Sequence, residues 1–187
     1  MLFEGPAIFP EEYLEELCPP PLAAVLRKRN GWLTADGLHV RGVCLEPRWH
    51  SLDFAWRKEA FHRRYTLRRM DVPFAQNCVG DQFILRDQRV HRLWAETGHL
   101  DDLGCDLPSF LGNPGAHLET RYLKLLGKPL EPGQLLSVYP FRCSAQAEAG
   151  VSVRAIPALE VIAFNADLYK QIGDLPRGTR IQVKITE

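Results

Sequence analysis

The chain lacks paired cysteines, and this absence bears on both disulfide and metal chemistry. Its cysteines are scattered singly, and no CxxC or CxxH pair occurs. Such spacing is typical of buried thiols and gives no disulfide framework. We therefore predict no metal site, although a zinc site assembled from distant Cys and His residues stays open as an alternative. The five positions are Cys18, Cys44, Cys78, Cys105 and Cys143.

A net charge and long apolar runs are also lacking. The 23 basic side chains balance 23 acidic ones, so the whole molecule exerts no general attraction on nucleic acid or anionic lipid. No stretch approaches the roughly 18 consecutive apolar residues of a membrane span, and residues 1–10 lack the pattern of a secretion signal. With 187 residues and 45% hydrophobic content, we expect one cytoplasmic domain.

The chain also lacks the common sequence motifs of catalysis. It contains no GxSxG, HExxH, P-loop or GxGxxG pattern. His91 and His99 flank Glu96, which a metal site or acid/base pair could use, but a hydrogen-bonded hairpin histidine is the simpler interpretation of His91. His62 is followed by two arginines and has nothing nearby to orient it as a base. We predict no catalytic residue and no cofactor; a hydrolase with a dispersed site stays an alternative.

The clearest positive signal is a turn that leads into a hairpin. Pro73 restricts Val72 to extended backbone, and Gly80 can adopt positive φ where the chain turns, with Asp81 able to bond its own turn. Alternating residues 82–86 predict a strand, and residues 90–94 predict its partner. The loop Asp87-Gln88-Arg89 lacks glycine, which favours a longer or bulged loop over a two-residue turn.

Pro-Phe-Ala at 73–75, a polar spacer, Gly-Asp at 80–81 and the aromatic strand that follows resemble the central motif of the SUKH superfamily. The superfamily takes its name from a fungal cell-wall synthesis regulator. Many bacterial members are immunity proteins that neutralise polymorphic toxins, and others are interaction modules without catalysis. The helix that ends at Asn30-Gly31 is also similar to the early part of these proteins. The resemblance implies a structural role for Pro73, Phe74, Ala75, Gly80, Asp81 and Phe83.

The rest of the chain is assigned from local patterns. An N-terminal helical segment, 10–30, contains helices 10–17 and 22–29, and a strand is expected at 38–45. A helix at 118–126 precedes a β-rich extension, 130–187, with strands at 135–141, 151–156 and 179–186. Within that extension, Asn165 is expected to cap a short helix that stops at Gly173.

A basic helix is expected from residue 52 to about 69. Phe54, Phe61 and Tyr65 share one stripe, and Arg57, Arg64 and Arg68 form a second stripe beside it. Basic and aromatic residues together can bind single-stranded nucleic acid. We favour the alternative that arginine stems cover the apolar face and place their charges in water.

These observations predict an α+β fold with one SUKH-like domain over residues 1–187, in which a mostly antiparallel sheet carries helices on one face. The predicted function is non-catalytic protein binding, with a toxin domain as partner, no membrane association, and nucleic acid as a disfavoured ligand. Contacts are expected in loops beside the hairpin, because loops on a rigid sheet can vary freely. A core position is an alternative for Trp94. The acids Glu96, Asp101 and Asp102 are expected to be expendable for folding. The predicted contacts are Asn77, Trp94, Glu96, Asp101 and Asp102.

Overall fold

A computed structural model of the chain describes residues 1–55, 61–176 and 178–180, and only the backbone of His62. Over these residues the main sheet has seven strands, each antiparallel to its neighbours and arranged in chain order. No helix in the described part of the chain is long and apolar enough to cross a membrane. The strands are β1 (Phe3–Glu4), β2 (Trp32–Leu33), β3 (His39–Val40), β4 (Val72–Gln76), β5 (Gln82–Arg86), β6 (Arg89–Leu93) and β7 (Leu100–Asp106).

A second, two-stranded antiparallel sheet and several helices complete the described fold. The sheet pairs β8 (Gln134–Tyr139) with β9 (Ser152–Pro157). Short 3-10 turns lie at Gly115–His117 and Ala145–Ala149. The helices are α1 (Glu12–Leu17), α2 (Pro20–Lys28), α3 (Phe61–Arg64), α4 (Leu107–Gly112), α5 (Thr120–Leu126) and α6 (Ala158–Ile172).

The predicted α+β class and mostly antiparallel sheet are confirmed, but helices cover both faces of the sheet. Phe83 and Leu85 pack with residues of α1, α2 and α4. Ile84, between them, packs with Val161 of α6. Because successive strand residues point to opposite faces, the two core clusters lie on opposite sides of β5. The polar residues of β5 had suggested that one face of this strand is solvated. Gln82 is nevertheless buried, and its side-chain N–H donates to the Gly80 carbonyl at 2.6 Å.

The β5–β6 hairpin closes with two residues, so the longer loop expected from the sequence is wrong. Arg86 pairs with Arg89, and the two residues between them, Asp87 and Gln88, have φ of 49° and 65°. Positive φ at both positions is the geometry that matches strand twist in a two-residue hairpin. Aspartate adopts this conformation more readily than most residues, and Arg68 contacts the Asp87 carboxylate at 3.1 Å.

The basic helix expected over 52–69 ends earlier than predicted. Residues 52–55 are helical, 56–60 lie outside the described residues together with Arg57, and α3 ends at Arg64. Phe61 and Tyr65 are buried as the apolar stripe predicts. Arg68 lies beyond the helix end, so the described residues do not form the continuous basic stripe.

In the C-terminal part, β8 and β9 match their predicted strands, but the helix assignment needs correction. Asn165 lies inside the fifteen-residue helix α6, and its side-chain amide donates to the Val79 carbonyl at 3.3 Å, so it caps nothing. The helix ends before Gly173 as expected. The strand predicted at 179–186 falls almost entirely outside the described residues. Strand β7 was not predicted, and the strand expected at 38–45 is reduced to β3.

Candidate functional site

The turn between β4 and β5 is closed by Asn77. Its side-chain oxygen accepts from the backbone N–H groups of Val79 at 3.2 Å and Asp81 at 3.0 Å. Gly80 has φ of +87°, the left-handed conformation expected for it. Asn77 is fully buried, so it supports the turn and is not an exposed partner contact. The sequence assigned this closing role to Asp81.

Asp81 is instead the centre of a buried ion cluster. Its carboxylate accepts from Arg92 at 2.6 Å and from Arg142 at 2.7 and 3.0 Å, and the backbone N–H of Ala95 adds a bond at 3.0 Å. Burial by itself raises the pKa of Asp81, but the charges and hydrogen bonds of Arg142 and Arg92 outweigh it and hold that pKa well below its usual range. The side chain is therefore a carboxylate at neutral pH.

Two glutamates complete this group, which we call the Asp81 cluster: Asp81, Arg92, Glu96, Glu119 and Arg142. Glu96 accepts from the Arg142 guanidinium at 3.3 Å and from the backbone N–H of Cys143 at 2.8 Å. Glu119 accepts from Arg92 at 2.7 Å. Glu96 is buried and ties the 142–143 segment to the main sheet. It is therefore not the exposed contact that the sequence predicted, and its bonds to Arg142 and Cys143 predict a role in stability.

Trp94 lies above this cluster, half-buried at the end of β6. The guanidinium carbon of Arg92 lies 3.7 Å from the centroid of its ring, and its indole N–H donates to Asp101 at 2.6 Å. His99 contacts the other oxygen of Asp101 at 2.7 Å. Asp102 is exposed and pairs with Arg89 at 3.0 Å. We call Trp94, His99, Asp101 and Asp102 the edge surface; it contains three of the five predicted contacts.

His91 and His99 do not combine with Glu96. The His91 ring lies near the Arg89 carbonyl, at 3.4 Å, while Glu96 is engaged by Arg142. Across the described residues, no group of three or more His, Cys, Asp or Glu side chains could hold a metal ion. The side chain of His62 lies outside what the structure describes.

The sequence predicted that all five cysteines are buried, but two of them are not. Cys18, Cys44 and Cys78 are buried, Cys105 is partly exposed and Cys143 is exposed. Desolvation and the nearby Glu96 raise the pKa of Cys143 to about 12, so its sulfur is protonated at neutral pH and weakly nucleophilic.

A second buried polar group, which sequence reasoning missed, lies around β3. We call it the His–Arg cluster: Asn30, His39, Arg41, His50 and Gln76. Arg41 donates to Gln76 at 2.7 Å and to the Pro73 carbonyl at 2.8 Å. The signal in the sequence was the alternation of His39 and Arg41 with apolar residues. The face that carries His39 and Arg41 is buried in the structure.

The hydrogen bonds of the His–Arg cluster run in one direction. The amide of Gln76 donates to Nδ1 of His39 at 3.0 Å, Nε2 of His39 to Nδ1 of His50 at 2.9 Å, and Nε2 of His50 to the Asn30 carbonyl at 3.1 Å. Both ends fix this direction, because the Gln76 amide N–H can only donate and the Asn30 carbonyl can only accept, so each imidazole carries one proton and is neutral. Burial, the neighbouring imidazole and Arg41 lower the pKa of His39. Burial lowers the pKa of His50 to about 4.

In comparisons with protein-family models, curated protein sequences and solved structures, nothing matches this chain. The resemblance to the SUKH superfamily therefore stays a prediction carried by the motif residues.

Proposed function

We propose that this protein is a non-catalytic binding module that works by occupying another protein. The observation that carries the proposal is the way Trp94 is held. Its ring stacks on Arg92, its N–H is bonded to Asp101, and part of its surface remains exposed. A tryptophan that is already ordered loses little conformational freedom when a partner covers it. Tryptophans of this kind are favoured anchors of protein interfaces.

The edge surface favours recognition by side chains over addition of a strand. Strand β7 is the last strand of the main sheet and pairs only with β6 within the described residues. It carries Asp101, Asp102 and Asp106, and its register is shifted opposite Arg89 and His91. Charges and irregular register discourage the pairing of an edge strand with another chain. We therefore propose a partner that places a basic or apolar group against Trp94 and Asp101.

The proposed biological role is neutralisation of a toxin domain, which follows from the SUKH resemblance. In this chain the Gly-Asp pair of that motif has a direct link to the edge surface. Gly80 shapes the turn that presents Asp81, Asp81 binds Arg92, and Arg92 supports Trp94. The motif residues would thus maintain the contact platform, while the residues around it set the choice of partner.

The test is a paired capture experiment from the native host. The parent, the variant Asp101→Lys/Asp102→Lys and the control Glu131→Lys/Glu148→Lys are used as baits. Both variants reverse two acids; Asp101 is partly buried, and the other three acids are exposed. We expect a protein that the parent and the control retain and the edge variant loses, because like charges then face a basic partner. That protein, expressed alone, should inhibit growth, and co-expression with the parent should restore growth.

Matching melting temperatures of the three baits establish that the edge variant is folded. The proposal fails if no protein is retained differentially, or if the retained protein has no toxicity that the parent relieves. Salt-sensitive retention of nucleic acid or metal-dependent hydrolysis by the parent would instead favour the two alternative functions.

A further inference from the structure

A cleft with a volume of about 280 Å³ lies between the 48–55 segment and helix α6. Its walls include the rings of Trp49, Phe54 and Phe61, with Leu159 and Ala163 of α6 opposite. No member of the edge surface lines it. The volume is near the lower end of small-molecule sites, and most such sites are apolar with a few polar groups placed to orient the ligand.

The polar group at this cleft is Arg41, a member of the His–Arg cluster that is only 1% exposed. Its described hydrogen bonds go to two neutral acceptors, the Pro73 carbonyl and the Gln76 side chain. A guanidinium has more N–H donors than these two bonds use. Burial lowers the pKa of Arg41 to about 9, which still leaves it cationic at neutral pH.

No carboxylate among the described residues forms an ion pair with Arg41. Each buried arginine of the Asp81 cluster, in contrast, contacts two carboxylates. A buried cation is costly unless an opposite charge offsets it. Among the described residues, the groups bonded to Arg41 are a carbonyl and an amide, which carry no negative charge, and the nearby imidazoles of His39 and His50 cannot supply one.

Charged side chains of both signs line the mouth of the cleft. Arg48 and Arg64 line it together with one acid, Glu160. The guanidinium of Arg48 lies 5.6 Å from the centroid of the Phe54 ring, and its partner Glu46 is largely exposed. The charge that an anion would meet beyond the aromatic rings is therefore that of Arg41.

We propose that this cleft binds a small carboxylate with a planar apolar body, whose carboxylate pairs with Arg41. The guanidinium fork matches the two oxygens of a carboxylate, and the aromatic walls suit a flat ring. This site is separate from the edge surface, so it adds a small-molecule ligand to a protein whose proposed role is to bind another protein.

The first experiment uses phenylacetate as the probe, with phenylacetamide and acetate as matched compounds. Phenylacetamide keeps the ring and removes the charge, whereas acetate keeps the charge and removes the ring. Calorimetric titration at pH 7, supported by tryptophan fluorescence, should show phenylacetate binding at least tenfold more tightly than either compound. Equal binding of phenylacetate and phenylacetamide, or no binding of phenylacetate at millimolar concentration, overturns the proposal.

The second experiment places the probe in this cleft. Ala163→Leu adds bulk to its wall without changing charge, and Gln171→Leu adds the same side chain at an exposed position of the same helix. We expect at least a tenfold loss of phenylacetate affinity in the first variant and parental affinity in the second. Unchanged affinity in Ala163→Leu would locate the probe elsewhere and refute the site.

Arg41→Met should remove the preference for phenylacetate over phenylacetamide, while Arg154→Met, at an exposed position of β9, should keep it. A retained preference in folded Arg41→Met contradicts the role given to Arg41. If Arg41→Met does not fold, the comparison of Ala163→Leu with Gln171→Leu still decides the question.

Discussion

The two buried polar clusters differ in how their charges are offset. In the Asp81 cluster, two arginines face three carboxylates, and each arginine contacts two of them. In the His–Arg cluster, one arginine faces amide, carbonyl and neutral imidazole groups. The first arrangement gives each arginine carboxylate partners and joins distant segments of the chain. The second contains a cation, Arg41, with which a ligand could pair. We therefore regard the Asp81 cluster as a structural support and the His–Arg cluster as part of a candidate ligand site.

The largest expected effect comes from Asp81→Asn, which removes the central carboxylate of the Asp81 cluster. Arg92 and Arg142 would remain buried with weaker compensation, and breaking a buried pair costs about 3–5 kcal/mol of unfolding free energy. Urea denaturation measures the loss. Asp102→Asn is the control, because its carboxylate is exposed and its loss should leave stability near that of the parent. Similar stabilities for the two variants would show that the Asp81 cluster is not the structural support described above.

Gly80→Val should destabilise the protein by on the order of 1–3 kcal/mol, because a β-branched residue is strained at the φ of +87° found there. A Cβ atom would also lie 3.2 Å from the Asn165 amide. The same denaturation assay applies, with Gly112→Val as control at a position where nothing lies within 4 Å and φ is not positive. An unchanged denaturation midpoint would show that the turn presenting Asp81 tolerates a side chain.

Acidification should act first on the His–Arg cluster. The pKa of His50 is about 4 in the folded protein and about 6.5 unfolded, so the unfolded state takes up protons first and stability falls as pH drops below about 6.5. Lowering the pH from 7 to 5.5 should cost about 2–3 kcal/mol of unfolding free energy from this residue and His39 together. The lowered pKa of Asp81 adds a loss only below about pH 4.

The variant His50→Gln tests that assignment. We expect its unfolding free energy, followed by urea denaturation from pH 7 to 5.5, to fall less steeply than that of the parent. A slope equal to the parent's would place the proton uptake at other residues.

Arg41→Met should have the smallest effect, about 1 kcal/mol. It loses hydrogen bonds to neutral acceptors, while removal of a buried charge that has no carboxylate partner in the described part of the chain offsets part of that loss. Arg142→Met is the matched change in the Asp81 cluster, and it should cost several-fold more because Asp81 and Glu96 lose their partner. Comparable losses in denaturation experiments would remove the distinction between the clusters.

Local sequence patterns predicted much of the secondary structure. The elements predicted correctly depend on periodicity, caps or turn residues that lie within a few positions of one another. They are helices α1, α2 and α5, the β5–β6 pair and the β8–β9 pair. Gly80 was assigned correctly for the same reason, since the need for positive φ is local. The prediction for the Asp87-Gln88 turn was wrong because tight hairpins usually contain glycine, and here pairing of the flanking strands imposes the turn.

The sequence by itself determined the class of fold and the position of the central turn, because both follow from short-range backbone preferences. Only the tertiary structure decided what the polar residues do. Asp81 binds Arg142, which is 61 positions away in the sequence, and Arg41 binds Gln76, which is 35 positions away. A pattern of neighbouring residues cannot predict contacts over such separations. Because both faces of the sheet are buried, the arginines of the two clusters depend on the partners that the fold supplies. Arginine is therefore a structural support in one cluster and a potential ligand contact in the other.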